Sequence, residues 1–139
     1  MLNRRLWSCA VALGWAMAAT SCASAPSVRM TGSADVPAAQ GTVTATSTEN
    51  NNTAVVVDVR HLAPAERVQP GATTYVVWAR ATGRDNYQNL GGLSVDSDLH
   101  GRLRPVTSLR SFDVVVTAEQ SPTVTTPASK RVLSATIER

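Results

Sequence analysis

The sequence from Gly41 to Arg139 predicts an all-β domain, and three observations point to this fold class. Short segments rich in Val, Thr and aromatic residues alternate in polarity, which is typical of half-buried strands. Turn-forming residues separate these segments at intervals of roughly 8–12 residues. No heptad and no long helical period is found along the chain. About seven short strands at this spacing indicate an antiparallel β-sandwich of the immunoglobulin type.

Each of the first three predicted strands is supported by its own residue pattern. The seven predicted strands are, in chain order, residues 41–48, 54–62, 73–80, 87–95, a short strand at 101–103, 112–118 and 131–137. The first alternates Thr or Ser with small apolar residues, whereas the third is apolar on both faces, as a central strand is. The second places Val55, Val57 and Val59 on one face, because successive side chains of a strand point to opposite sides.

The remaining four strands are separated by turns and loops. The fourth contains the pair Gly91-Gly92, which predicts a β-bulge or a close approach of backbone. Residues 96–98 are predicted to turn the chain into the short fifth strand. The last strand follows a segment rich in Thr and Pro, which we interpret as a long connection or as a partner-contacting loop. The sixth strand alternates well and presents four apolar side chains to the core: Phe112, Val114, Val116 and Ala118.

Trp78 lies on the third predicted strand, where sandwiches of this type often bury an indole against the opposite sheet. Core packing is the interpretation that we favour for an isolated strand tryptophan. The functional alternative is a platform on which a ligand would stack.

The first 21 residues have the organisation of a secretory signal peptide. Arg4 and Arg5 form a basic start, residues 6–19 are free of charge and mostly apolar, and small residues follow. The apolar stretch is shorter than the roughly 20 residues of a transmembrane helix. We therefore predict that residues 1–21 are removed, with an uncleaved anchor helix as the alternative.

Cys22 directly follows these small residues and resembles the lipidated cysteine of bacterial lipoproteins, although Ala19 stands where such motifs usually carry Leu. Cys9 would leave with the signal peptide, so the mature chain would begin at its single cysteine. Acylation would protect this lone thiol in an oxidising compartment and would anchor the protein stably. The resemblance implies a palmitate-type lipid anchor at Cys22 and a position in the cell envelope. Because Ala23 rather than Asp follows, it implies the outer membrane, facing the periplasm.

Residues 22–40 are predicted to be the lipidated cysteine and a flexible tether, because they offer little hydrophobic bulk and contain Pro26 and Pro37. A first strand hidden in this segment is the alternative. Loss of Arg4 and Arg5 would lower Lys plus Arg from 13 to 11, against 10 acidic residues. A net charge near neutrality offers no electrostatic footprint for nucleic acid, so we expect no nucleic-acid partner.

Four motifs resemble the C-terminal extracytoplasmic domain of anti-sigma-K factors. They are Val55-Val-Val-Asp-Val-Arg-His-Leu-Ala-Pro64, Tyr75-Val-Val-Trp78, Gly91-Gly-Leu before the Gly101 turn, and the strand ending at Glu119 with its loop from Ser121 to Pro127. The resemblance covers about residues 53–137 and implies a sandwich fold in an extracytoplasmic location. We expect neither the helical sigma-binding domain nor the transmembrane helix of such factors, and the His-x-x-x-Cys-x-x-Cys motif is absent from this sequence. The resemblance therefore does not imply sigma-factor binding.

Candidate chemistry is sparse in this sequence. Asp96, Asp98 and His100 are the ligand-type residues that lie close together, and the alternatives are a metal site or a polar turn with Gly101 at positive φ. We favour the turn and predict no metal and no cofactor, because phosphate-binding and dinucleotide motifs are also absent from the sequence. His61 is predicted to end its strand at the loop.

A hydrolase remains an alternative that would rest on His61 or His100 with a nearby carboxylate, although no nucleophile motif is present. Carboxylates that could pair with either histidine are Asp58, Asp96, Asp98 and Asp113. We predict no catalytic residues. The expected function is a non-catalytic, lipid-anchored interaction module with an envelope protein as partner. A regulatory domain that senses the state of the envelope is the other alternative.

Overall fold

The computed structural model describes residues 25–138, which form two antiparallel sheets packed face to face as a sandwich. The elements are β1 (Ser27–Arg29), β2 (Thr31–Gly32), β3 (Gln40–Ser47), β4 (Thr53–Arg60), α1 (Ala65–Val68), β5 (Thr74–Ala81), β6 (Tyr87–Leu93), β7 (Gly101–Leu103), β8 (Val106–Thr107), β9 (Phe112–Glu119) and β10 (Arg131–Ile137). Within these residues, no helix is long and apolar enough to cross a membrane.

Each sheet contains five strands. Sheet A has the order β1-β3-β4-β7, with β8 also paired to β4, and sheet B has the order β2-β10-β9-β5-β6. All seven predicted strands are present, which confirms the all-β sandwich. The strand count is ten rather than seven, because β1, β2 and β8 contain only two or three residues each and pair at the margins of the sheets. Strands this short show no period of two, and β7, which also has three residues, is predicted only from the turn that precedes it.

The core lies between the sheets and is built from alternate residues of the long strands. Val55, Val57 and Val59 of β4 are at most 1% exposed and pack in one apolar cluster with β9. The inward-facing residues of β9 are those predicted from its alternation: Phe112, Val114, Val116 and Ala118. The period of two therefore places these side chains correctly.

The bulge predicted at Gly91-Gly92 is present in β6. The register with β5 shifts because Asn89 lies opposite Trp78 whereas Gly91 lies opposite Val77, which leaves Leu90 as the extra residue. Gly91 has a φ of 132°, a conformation that residues with a Cβ rarely adopt.

The folded domain begins earlier than predicted. Ser27–Arg29 pair with β3, Thr31–Gly32 pair with β10, and Met30 and Val36 are each 5% exposed within the core. The prediction of a flexible tether therefore does not hold beyond residue 26. An existing strand edge offers backbone hydrogen bonds to a short segment, and Met30 and Val36 add buried apolar contacts. Residues 1–24, which contain the predicted signal peptide and Cys22, lie outside the described residues.

Between the second and third predicted strands, residues 63–71 contain the single turn α1, which packs against β5 and β9. The Tyr75 hydroxyl, on β5, donates a hydrogen bond of 2.6 Å to the carbonyl oxygen of Ala63. Burial, together with the nearby Glu66 carboxylate, raises the pKa of Tyr75 to about 12. This phenol therefore stays neutral and ties the loop to the sheet at physiological pH.

Candidate functional site

Trp78 is fully buried, but on the outer face of sheet B rather than between the sheets. It forms a separate apolar cluster with Val76 and Val115, and Tyr87 and Val124 pack against this cluster. The Trp78 and Tyr87 rings meet edge to face, with centroids 6.3 Å apart. Burial of the indole is as predicted, but burial against the opposite sheet is wrong. Strand β5 is apolar on both faces, so its pattern does not show which side holds the indole.

The segment between β9 and β10, residues 120–130, covers this outer cluster. Val124 lies against the cluster, and the Asn89 side-chain amide donates hydrogen bonds of 2.9 and 2.8 Å to the carbonyl oxygens of Pro122 and Val124. We call residues 120–130 the covering loop. It does more than connect two strands, because it removes the indole from water.

A buried carboxylate holds the other end of the covering loop. The backbone N–H groups of Ala128 and Ser129 donate hydrogen bonds of 3.0 and 3.3 Å to Oε1 of Glu119, which is 2% exposed. The same oxygen accepts a hydrogen bond of 2.6 Å from the Thr117 hydroxyl, and that hydroxyl accepts one of 2.9 Å from the Trp78 indole N–H. One hydrogen-bonded chain thus joins the indole to the backbone of the loop.

A groove of about 490 Å³ opens beside this assembly. Val115 and Thr117 of β9 form its floor. Tyr87, the first residue of β6, forms one wall, and Pro127 of the covering loop forms the other. The remaining lining residues are polar or charged: Asp85, Asn86, Thr126, Ser129 and Arg131. The volume lies within the range of natural binding sites, which usually combine an apolar lining, here Val115, Tyr87 and Pro127, with a few polar groups.

Arg80 and Asp113 form an ion pair on the same face of sheet B. Arg80 Nη2 lies 2.6 Å from Asp113 Oδ2, and the Thr136 hydroxyl donates a hydrogen bond of 2.7 Å to Oδ1. The Arg80 guanidinium also lies over the Tyr87 ring, 5.6 Å from its centroid. The hydrogen bonds from Arg80 and then from Thr136 lower the pKa of Asp113 below its ordinary value. Because Arg80 contacts both Asp113 and the Tyr87 ring, the ion pair supports the Tyr87 wall of the groove.

The lowered pKa of Asp113 predicts a defined dependence of stability on pH. A carboxyl whose pKa is lower in the folded state stabilises the fold above its unfolded pKa of about 3.9, and this contribution is lost as the pH falls through the folded value. We expect Asp113→Asn to destabilise the protein by about 1 kcal/mol at pH 7, since the pair is partly exposed. Urea unfolding at pH 7 and near pH 2 measures this difference. A gap that stays constant over this range would show that Asp113 does not titrate as described.

The turn at residues 96–100 is the polar turn that we favoured. Asp96 Oδ1 accepts hydrogen bonds from the backbone N–H groups of Asp98 and His100 at 3.0 and 2.9 Å. The positive φ belongs to Leu99, at 60°, and not to Gly101 as predicted. Gly101 is required for space instead, because a Cβ there would lie 2.8 Å from the Ser94 carbonyl oxygen.

The two histidines lie apart from the groove. His100 Nε2 is 3.3 Å from both carboxylate oxygens of Asp58 on sheet A, whereas His61 lies just after β4 with a φ of 55°. In residues 25–138, no three His, Cys, Asp or Glu side chains are grouped to hold a metal ion.

The residues that define the groove were not identified from the sequence as a site. Thr117 and Glu119 occupy alternate positions of β9, on the face opposite its four predicted core residues. Two polar residues facing outward from a strand ordinarily indicate a solvent-exposed face. The sequence signals for a covered outer face were the tryptophan on β5, a strand that is apolar on both faces, and the long Thr- and Pro-rich connection much later in the chain.

Comparison with known proteins places no further constraint on this site. No known family model matches the chain, and no curated protein is significantly similar to it. The resemblance to the extracytoplasmic domain of anti-sigma-K factors therefore stays a prediction.

Proposed function

We propose that this protein is a non-catalytic, lipid-anchored interaction module of the cell envelope that binds a polypeptide segment of an envelope protein in the groove on sheet B. The observation that carries the proposal is the groove itself, where an apolar floor lies between two walls that are each fastened to the sandwich. The Tyr87 wall is supported by Arg80, and the Pro127 wall is held through Glu119 by hydrogen bonds from the next two residues. A preformed groove of this kind reduces the ordering cost of binding.

The chemistry of the groove suggests the kind of segment that it accepts. Tyr87 and Pro127 present apolar surfaces above Val115, while Asp85 and Arg131 place charges of both signs at the rim. An extended segment with one apolar side chain for the floor and polar flanks matches this lining. Strand β6 begins at Tyr87 and pairs only with β5 in residues 25–138, so its outer edge could add backbone hydrogen bonds to such a segment.

Anchoring by lipid at Cys22 is the second part of the proposal. Its support is the sequence of the first 22 residues: a basic start, an uncharged apolar stretch and small residues directly before the cysteine. We expect cells grown with labelled palmitate to incorporate the label into the protein, and Cys22→Ser to abolish incorporation. The membrane fraction should then contain the wild-type protein, facing the periplasm. An unlabelled wild-type protein would refute the anchor and leave the groove to be tested separately.

Cross-linking in intact cells tests the groove. Thr126→Arg places a long charged side chain in the groove, whereas Thr125→Arg adds the same side chain to the neighbouring exposed residue, which does not line it. We expect a partner identified by mass spectrometry to be captured by the wild type and by Thr125→Arg, and to be lost with Thr126→Arg. Capture that is equal with both variants would place the binding surface elsewhere and refute this site.

A further inference from the structure

We propose that the outer face of sheet A lies on the anionic headgroups of the membrane that holds the lipid anchor. This inference rests on the proposed lipidation of Cys22 and adds an orientation to it. The outer face of sheet A is the polar surface of β1, β3, β4, β7 and β8 that points away from sheet B. Three features support the proposal: the short chain between Cys22 and β1, the charge of the face, and an exposed valine on it.

The first feature is the length of chain available between anchor and fold. Strand β1 begins at Ser27, five residues after Cys22. Since one residue spans at most about 3.6 Å, the start of β1 cannot lie more than about 18 Å from the acylated cysteine. A domain held this closely stays near the headgroups. Because β1 is an edge strand of sheet A, the chain from the anchor enters the fold at this sheet.

The second feature is the charge of the face. Arg29 lies opposite Thr42, Thr42 opposite Asp58, and Asp58 opposite Arg102, so these four side chains form a row across four strands. Directly opposite residues point to the same side of a sheet, and the neighbouring Val43 and Val57 are in the core, so the row faces outward. Arg60 extends the same face, two residues after Asp58 along β4.

The three arginines of this face, Arg29, Arg60 and Arg102, surround a single acidic residue of the row, Asp58. The side chains of Arg60 and Arg102 are 68% and 50% exposed, whereas that of Asp58 is 19% exposed. Arg60 Nε lies 3.6 Å from Oδ1 of the Asp58 carboxylate, and Arg102 Nε lies 3.5 Å from its Oδ2. One carboxylate cannot neutralise three arginines, so the face has a net positive charge. Phosphate groups of anionic lipids are the complementary surface.

The third feature is Val106 on β8, which is 56% exposed and is the most exposed large hydrophobic side chain in residues 25–138. It lies opposite Ala54, which lies opposite Thr46, so it belongs to the same outer face. Since Ser27 pairs with Thr44, the chain from Cys22 reaches the sheet near this end. The arginine row lies farther along the same face, since Asp58 follows Ala54 by four residues on β4. The face therefore combines an exposed apolar side chain with basic ones, as membrane-surface segments do.

The outer face of sheet B is different. The covering loop lies across it, and the groove opens there. Placing sheet A on the membrane therefore directs the groove away from the lipid, where a partner has access to it.

Fluorescence quenching in vesicles tests this orientation on the lipidated protein. Acylation would occupy the Cys22 thiol, so a cysteine introduced at Thr46 or at Thr125 is the single site for a thiol-reactive fluorophore. Thr46 is exposed on the outer face of sheet A, and Thr125 is exposed on the covering loop. In phosphatidylcholine vesicles that contain phosphatidylglycerol and a headgroup-labelled quencher lipid, we expect quenching to be severalfold stronger at Thr46→Cys than at Thr125→Cys.

Charge variants separate the headgroup contact from the effect of the anchor alone. Combined Arg29→Gln, Arg60→Gln and Arg102→Gln should remove most of the difference between the two labelling sites. The control set combines Arg67→Gln, Arg84→Gln and Lys130→Gln, which removes the same charge from exposed positions outside this face. This set should preserve the difference in quenching between the two labelling sites. Phosphatidylcholine vesicles without phosphatidylglycerol should reduce the difference as the first set does. Unfolding midpoints of both sets check that the fold is intact.

The possible failures can be distinguished. Equal quenching at Thr46 and Thr125 in a palmitate-labelled protein would overturn the orientation and leave the anchor standing. A difference that survives the loss of Arg29, Arg60 and Arg102 would overturn the role of the basic face. A protein without palmitate would overturn the anchor and this inference together.

Discussion

Trp78→Ala is expected to lower the free energy of unfolding by about 3–5 kcal/mol, the typical cost of removing a fully buried large aromatic side chain. The indole is 0% exposed and is covered by Val115, Tyr87 and the covering loop. Its removal would leave a cavity under the loop and would deprive the Thr117 hydroxyl of its hydrogen bond. Chemical denaturation with circular dichroism measures the effect.

Two further variants separate packing from hydrogen bonding at Trp78. Trp78→Phe keeps much of the apolar volume but removes the indole N–H, so it should destabilise the protein less than Trp78→Ala. Thr117→Val keeps the indole and removes its acceptor, which should cost about 1–3 kcal/mol because the indole N–H would be buried without a partner. If Trp78→Ala cost less than about 1 kcal/mol, the indole could not be packed as described.

Glu119→Ala is expected to destabilise the protein by about 3 kcal/mol and to detach one end of the covering loop, because buried hydrogen-bond donors would lose a charged acceptor. Oε1 of this side chain accepts hydrogen bonds from Thr117, Ala128 and Ser129. Hydrogen–deuterium exchange should therefore accelerate at the amides of Ala128 and Ser129, while the amides of β4 remain protected.

Glu119→Gln is the matched control, since its side-chain oxygen can accept the same three hydrogen bonds without the negative charge. It should retain slow exchange at Ala128 and Ser129 and lose less stability than Glu119→Ala. Fast exchange at both amides in the wild type would contradict the anchoring role of Glu119. Loosening this loop should also weaken partner capture, because Pro127 and Ser129 line the groove.

Most of the fold could be predicted because the long strands carry a period of two. Val55, Val57 and Val59 show which face of β4 is buried, and Phe112 and Val114 do the same for β9. Strand β5 is different, since Val77 belongs to the core between the sheets while Val76 and Trp78 belong to the outer cluster. Apolar residues on both faces of β5 predict burial on both sides. They do not say that one side is covered by a loop distant in sequence.

The sequence by itself determined the all-β class, the seven predicted strands, most of the inward-facing residues and the turn at Asp96. These properties depend on side-chain alternation and local turn chemistry, which neighbouring residues specify. Only the tertiary structure decided that residues 27–32 are strands, that Trp78 is covered from outside, and that Glu119 holds the covering loop. Each of these contacts joins segments that are distant along the chain. The residues that stabilise it therefore do not occur together in any local sequence pattern.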